Sequence, residues 1–427
     1  MKIIREIKVD HLARIEGKAG IEVEISNKGI DAKINVTEGP RFFEFITKDK
    51  KYDEAIQIFP RICSFCSVPH KLTPIEAIEQ ALDIVPSEQT KKLRELLYIS
   101  NIIYSHVLHL HLFVIPDYLG YPDAFTVAKK NEDLIKNGFL LKDFGAEIQS
   151  IIGGRSIHPD NVTVGGFGKV PFKREMEKIK KMADDAIKKS VEIVEFFAEY
   201  EYPEYVDKER RHLSIKPHNG YGVYGDSIIS SDGSSFPAEK YKDNLIEEIV
   251  PYSFAKRSTF KGEPYMVGAI SRLVNNLSLL KGEAKELAEK YNVFISPKNC
   301  FANNFAQAIE IVHFVERAKE LASELMKIKE ERKVDAESDT GEGYAITEAP
   351  RGLLIYYVKI ENGLIKDVDI ITPTAMFLPM MEVDIVDMAN GLWNDGYKDT
   401  DLIEKKVEMV TRSYDPCISC SVHVTKL

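Results

Sequence analysis

Two Cys-x-x-Cys stretches, one near each end of the chain, limit what this sequence can fold into. The first reads Arg61-Ile62-Cys63-Ser64-Phe65-Cys66-Ser67-Val68-Pro69-His70, with a histidine four residues past its second cysteine. The second, Asp415-Pro416-Cys417-Ile418-Ser419-Cys420-Ser421-Val422-His423, has one three residues past. Together they hold four of the five cysteines, and no other stretch looks like a metal motif. Thiol pairs roughly 350 residues apart make sense as one site assembled by folding, with the rest of the chain as its housing.

A chain of 427 residues, 44% of them hydrophobic, fills one large core or two intimately packed domains. Its net charge of −10 argues against nucleic acid as a partner. No stretch approaches the ~20 apolar residues of a membrane span, and Met1-Lys2-Ile3-Ile4-Arg5-Glu6 is no signal peptide. The expected compartment is the cytoplasm, where thiols stay reduced and cysteine pairs more often serve metals or redox chemistry than structural disulfides.

Three readings of the cysteines compete on chemistry alone. Disulfides conflict with a reducing compartment. A structural zinc held by four thiolates is the plain alternative, although zinc knuckles usually lie within tens of residues and staple small folds. The third is a thiolate-rich catalytic centre for soft transition metals such as nickel or iron, in which two bridging thiolates let four serve two metals. The adjacent histidines and Asp415 favour the third, since ligand thiolates need hydrogen-bond donors and charge balance. Glu16 and Glu44 flank the sheet that leads into the first motif and are candidate acid–base groups.

The remaining pattern is helix-rich with minor sheets, an α+β chain without repeats, linkers or a clear boundary. Alternation predicts strands over 21–25 and 32–36 around a turn at Asn27-Lys28-Gly29. Three more are expected over 344–348, 353–361 and 364–371, with Asn362-Gly363 as a hairpin signal. Helices are expected over 54–58, 74–84 (Pro74 in the opening turn), 87–114, 131–149, 175–200, 282–291, 304–332, 379–390 and 401–410. Strand-and-turn character fills 213–248. His106, His109 and His111 lie on an apolar helix, where hydrogen-bonded core histidines are the default. Cys300 is expected to be a free structural thiol.

The two cysteine motifs together resemble the signature of the nickel–iron hydrogenase large subunit. Arg14-Ile15-Glu16-Gly17, His106-x-x-His109 with Asp117, Ile157-His158-Pro159, Ala349-Pro350-Arg351-Gly352 and Thr372-Pro373-Thr374 match family landmarks in order. Ser64, where many members have glycine, makes the chain most similar to the soluble cytoplasmic NAD(P)-linked branch, the sulfhydrogenases. Phe377 departs from a frequent asparagine, so no role is carried over there.

The resemblance implies a central helical bundle with small peripheral antiparallel sheets. It implies one domain over 1–423 and a propeptide, 424–427, removed by a maturation endopeptidase, so that the mature chain ends at His423. Nickel would be held by all four thiolates, Cys63 and Cys417 as terminal ligands. Cys66 and Cys420 would bridge to an iron carrying CO and two cyanides. Arg351 and Thr374 would hydrogen-bond the cyanides, Pro350 would line the pocket, and Asp117 and Asp415 would hold the Arg351 guanidinium. His70 would donate to a bridging sulfur. A separate magnesium or iron ion would take Glu44, the backbone carbonyl near Ile370, and His423.

The implied reaction is reversible heterolytic cleavage of H2, with Cys417 as first proton acceptor and Glu16 relaying the proton outward. Five cysteines minus four leaves one, too few for an ordinary four-thiolate iron–sulfur cluster. The electrons therefore need a cluster-bearing small subunit, and in the resembling branch further subunits bind flavin and NAD(P), with NAD(P) or sulfur as acceptor. The alternatives are a deazaflavin-linked hydrogenase and a zinc-stapled scaffold of a respiratory assembly.

Overall fold

In the computed structural model, which describes residues 3–39 and 41–422, four long helices pack in a closed ring. Helix Glu88–Leu108 lies against Glu132–Gly153 and Ala302–Glu324, and Lys173–Phe197 packs on both of those. Ser87 starts the first of them, its Oγ accepting the Thr90 amide at 3.0 Å. That helix continues through a π-helical turn, His109–Val114, into Ile115–Tyr118. The combined run, close to the expected helix over 87–114, is long and apolar enough to cross a membrane, contrary to the expectation that no stretch approaches a span. Yet 78% of its apolar window is buried inside the protein, as expected of a core helix.

Small antiparallel sheets surround the bundle. The expected N-terminal hairpin spans Ala19–Ser26 and Gly29–Val36, and a third strand, Ile3–Val9, adds to its edge. Four consecutive exposed residues at the start of that strand leave no alternation to read. The main sheet orders Leu364–Ile371, Gly352–Glu361, Gly341–Ala349 and the short Tyr224–Gly225. Asn362 and Gly363 turn with φ of 52° and 72°, the paired positive values that a two-residue hairpin loop requires. Ala349 pairs directly with Gly352, so Pro350-Arg351 is a second two-residue turn.

Helix Pro69–Ala81 lies across this sheet. It passes so close that a Cβ on Gly343 would stand 1.9 Å from the Ala77 carbonyl oxygen. Pro69, not Pro74, opens the helix. Pro74 lies inside, where its missing N–H only frees the carbonyl one turn back. Likewise the helix expected over 379–390 runs Pro373–Asn394 and encloses Pro379. Helices Ala124–Lys130 and Ala269–Asn276 had no clear sequence signal.

The bundle and sheet are joined by a fully buried ionic cluster. Arg272 donates to Glu310 through Nε and Nη2, both at 2.6 Å, and to Glu348 at 2.9 Å. It also reaches the carbonyls of Ala349 (3.0 Å) and Pro350 (3.1 Å). His106 and the Tyr221 hydroxyl complete the Glu310 shell at 2.8 and 2.5 Å. Burial alone would raise the Glu310 carboxyl, but Arg272 overrides it and holds Glu310 at about 2. Removing one member strands a buried charge. Glu310→Ala is expected to cost about 3–5 kcal/mol in urea unfolding, well above an exposed Glu→Ala control such as Glu289.

A cleft of about 640 Å³ opens beside this helix–sheet layer, with Glu76, Glu79, Arg94 and Tyr224 among its lining. Burial raises Glu76 to about 8, Arg94 opposing and Glu79 and Asp226 reinforcing. Its folded value lies above the ordinary 4.5. Its contribution to stability is therefore full below pH 4.5 and lost as pH rises through 8. A Glu76→Gln variant should match the wild-type Tm near pH 4.5 and exceed it at pH 9.

Candidate metal centre

Both cysteine stretches sit at chain bends that present sulfur inward. The turn Phe59–Ile62 delivers an extended Cys63, and Cys66 follows just before helix Pro69–Ala81. At the other end, helix Thr400–Ser413 stops and Asp415 takes a left-handed φ of 53°. Pro416 and an extended Cys417 then lead into the one-turn helix Ile418–Ser421. Folding brings all four sulfurs within 4.8 Å of one another. Cys417 Sγ lies 3.1 Å from Cys63 and 2.9 Å from Cys420.

None of the four is in a disulfide, and all are buried. Burial pushes the Cys63, Cys417 and Cys420 thiols up, whereas hydrogen bonds from neighbouring thiols, aided by Arg351, pull Cys66 down. Four sulfurs this close cannot all ionise without compensating positive charge, and multivalent cations bound by thiolates supply it. The donor set therefore fits soft metals.

Arg351 projects from the Pro350 turn into the same pocket and is itself buried. Its Nε donates to the Asp415 carbonyl at 2.6 Å and Nη2 to the Asp415 carboxylate at 2.8 Å. Nη1 faces Cys66 Sγ at 3.2 Å and Ser105 Oγ at 3.3 Å, and the guanidinium lies over the Phe65 ring. Burial disfavours its charge, but Asp415 and the sulfurs outweigh that and keep it cationic. Asp415 thus holds Arg351 as expected. Asp117 does not, because its carboxylate receives Arg14 and Arg412 instead.

Glu16 reaches the centre from the N-terminal loop. Its Oε2 is 3.2 Å from Cys417 Sγ and accepts the Ser419 amide at 3.0 Å. Its carbonyl accepts the Ile418 amide at 3.0 Å, so backbone and side chain both engage the second motif. Gly17 permits this, with φ of 86° and a Cβ position only 2.6 Å from Ile418 Cβ. His70 Nε2 is 3.5 Å from Cys420 Sγ and its Nδ1 is 2.7 Å from the Tyr356 hydroxyl. Burial lowers His70 to about 4, leaving a neutral ring. The Thr374 hydroxyl oxygen accepts the Cys417 amide at 3.0 Å. His106, His109 and His111 bond to Glu310, to Gln307 and the Arg412 carbonyl, and to the Val107 carbonyl, the core pattern expected of them.

Glu44 is buried at a second location. Its Oε1 accepts the Ile370 amide at 3.0 Å and the Lys256 ammonium at 3.2 Å, while Oε2 has no partner among the described residues. Lys256, also 3.1 Å from Glu247, carried no signal in the sequence, since nothing near it has motif spacing. The Ser419 hydroxyl, which donates to Glu38 at 3.1 Å, and Tyr414, which donates to Asp384 at 2.5 Å, were equally invisible. His423 and the tail 424–427 lie outside the described residues.

The profile of the family described as nickel-dependent hydrogenase matches residues 41–138 and 214–423. Sulfhydrogenase 1 subunit alpha of Pyrococcus furiosus is 48% identical over 99% of this chain and 98% of its own. Sulfhydrogenase 2 subunit alpha of the same organism is 38% identical over 99% of this chain and all of its own. The fold matches a solved NAD+-reducing [NiFe]-hydrogenase in the H2-reduced state with a TM-score of 0.91, at 23% identity, covering 99% of this chain and 100% of that one. With its four buried thiols at one point, the chain belongs to the nickel-dependent hydrogenases, as the large, catalytic subunit of a nickel–iron enzyme similar to the sulfhydrogenases.

Proposed function

We propose that this hydrogenase cleaves H2 heterolytically and reversibly, with Cys417 and Glu16 as its proton-accepting pair. The observation that carries this is the 3.2 Å approach of Glu16 Oε2 to Cys417 Sγ, inside the four-thiol cluster. Cys63 and Cys417 would hold nickel, and Cys66 and Cys420 would hold nickel together with an iron that is expected to carry CO and cyanide. When bound, a nickel–iron group would polarise H2 as a Lewis acid and take up its electrons. Cys417 Sγ receives the proton and Glu16, held by Ser419 and Ile418, takes it at hydrogen-bond distance. Arg351 and Thr374 are read as donors to the cyanides, with Pro350 holding the turn. His70 donates to the Cys420 sulfur.

Glu44, the carbonyl at Ile370 and His423 are read as ligands of a magnesium or iron ion. The unpartnered, buried Glu44 Oε2 supports a cation there. The Ile370 amide points from the sheet edge toward Glu44, and a strand residue turns its carbonyl to the same side as its amide.

Electrons must leave through another chain, because Cys300, buried, is the one cysteine outside the four-thiol cluster and cannot make a second four-thiolate set. The relatives named as alpha subunits support a multisubunit complex; its other members are read as a cluster-bearing small subunit and flavin- and NAD(P)-binding partners in the cytoplasm. NAD(P) or sulfur is read as the acceptor, and the name sulfhydrogenase carried by the relatives favours sulfur. A deazaflavin-linked role has no comparable support: a relative from Methanocaldococcus jannaschii, 31% identical, is named F420-non-reducing. A zinc scaffold would need neither a carboxylate on the sulfur of Cys417 nor an arginine on that of Cys66.

Glu16→Gln in the intact complex is expected to lower H2 oxidation with an artificial dye by at least ~10²-fold, the order of an acid–base contribution, with nickel content unchanged by mass spectrometry. Near-normal turnover would remove Glu16 from the path. Arg351→Lys keeps the charge but loses the planar fork that engages Asp415 twice. It is expected to slow H2 oxidation by roughly 10-fold or more and to shift the infrared bands of CO and cyanide. Unshifted bands would detach Arg351 from the diatomic ligands.

A further inference from the structure

We infer that Asp117 is a positioning residue that sets the Glu16–Cys417 approach by clamping two arginines, a role that rests on Glu16 being the proton acceptor. Asp117 lies in the four-residue helix Ile115–Tyr118, beyond the π-helical turn. Its Oδ2 accepts Arg412 Nε at 2.6 Å and its Oδ1 accepts Arg412 Nη2 at 3.0 Å, a bidentate pair. Oδ1 also accepts Nη2 of Arg14. Arg14 Nη1 continues to the Phe113 carbonyl at 2.6 Å, and Arg412 Nη1 reaches the Ala13 carbonyl at 3.2 Å.

Three segments distant in sequence therefore meet at one carboxylate. Arg14 is two residues from Glu16, and Arg412 five residues from Cys417. Arg14 adopts a left-handed φ of 61°, a costly conformation for a side-chain-bearing residue, which the clamp offsets. Arg412 is fixed from behind as well, its carbonyl receiving His109 Nε2 at 2.7 Å. Asp117 does not cap its helix, because none of the hydrogen bonds to its carboxylate comes from a backbone amide. Without Asp117 two guanidiniums face each other, with Glu408, 3.3 Å from Arg412, left to offset them. Repulsion would then separate the loop carrying Glu16 from the segment carrying Cys417, and proton transfer falls steeply once heavy atoms leave hydrogen-bond reach.

The test is a double-mutant cycle in the nickel-loaded complex: Asp117→Asn, Glu16→Gln and both. Asp117→Asn should retain nickel, lower kcat at least tenfold with little change in KM for H2, and enlarge the solvent deuterium isotope effect. In the residual turnover of Glu16→Gln it should cause no further loss, and Asp117→Glu should recover part of the rate. Equal losses in both backgrounds, or an unchanged isotope effect, would overturn the clamp while leaving the relay intact. Wild-type turnover in Glu16→Gln alone would instead overturn the relay and the clamp with it. Should Asp117→Asn not accumulate, Arg14→Gln removes one arm and faces the same criteria.

Discussion

Everything in this structure answers to the electrostatic demand of four sulfurs packed within 4.8 Å in a buried site. Thiolates repel one another, and burial deprives them of water. Metal cations relieve most of that charge, and Arg351 adds a fixed one at 3.2 Å from Cys66. A buried guanidinium is costly unless its donors are met, and Asp415 meets two of them, through carbonyl and carboxylate. The left-handed backbone at Asp415 is what lets one residue offer both groups to Arg351. Strain at that position is thus tied to the charge balance of the site.

The housing follows from the same demand. Arg351 occupies the tip of a two-residue turn between long buried strands, so its backbone is held by sheet pairing on both sides. Arg272 fixes that turn from behind by capping the carbonyls of Ala349 and Pro350, and Glu310 and Glu348 in turn neutralise Arg272. Charge is passed inward in matched pairs, from the helical bundle to the sheet and from the sheet to the sulfurs. Each pair is satisfied locally, which allows so many ionised groups in one core.

The chemistry was legible where it was written in local spacing. Cys-x-x-Cys twice, Glu16 before a glycine, and Asn362-Gly363 between alternating runs each specify a geometry within a few residues. What could not be read was where a side chain ends up after the chain has turned. The turn at Pro350-Arg351 gives no glycine signal at its centre, so the placing of Arg351 at the sulfurs rested on the resemblance and not on local spacing. Asp117 and Asp415 looked interchangeable, as two acidic residues near one arginine, and only the tertiary structure gives one to Arg351 and the other to Arg14 and Arg412. Lys256 meets Glu44 across more than 200 residues, a pairing with no periodicity behind it. The edge strand Ile3–Val9 failed for another reason: exposure on both faces removes the alternation on which strand reading relies.

The two halves of the site are held by different parts of the fold. The first cysteine pair rests on helix Pro69–Ala81, which packs on the main sheet. The second pair lies between Thr374 and the Glu16 loop, which accept hydrogen bonds from the Cys417, Ile418 and Ser419 amides. Those three amides belong to successive residues, so a short stretch of backbone is held at every step. Its contacts are with the N-terminal loop, with a helix start and, through the Asp415 carboxylate, with Gln307 of the bundle at 3.1 Å. The same contacts that seat Cys417 in the cluster also set its sulfur 3.2 Å from the Glu16 carboxylate, so the cluster and its nearest acid are positioned together.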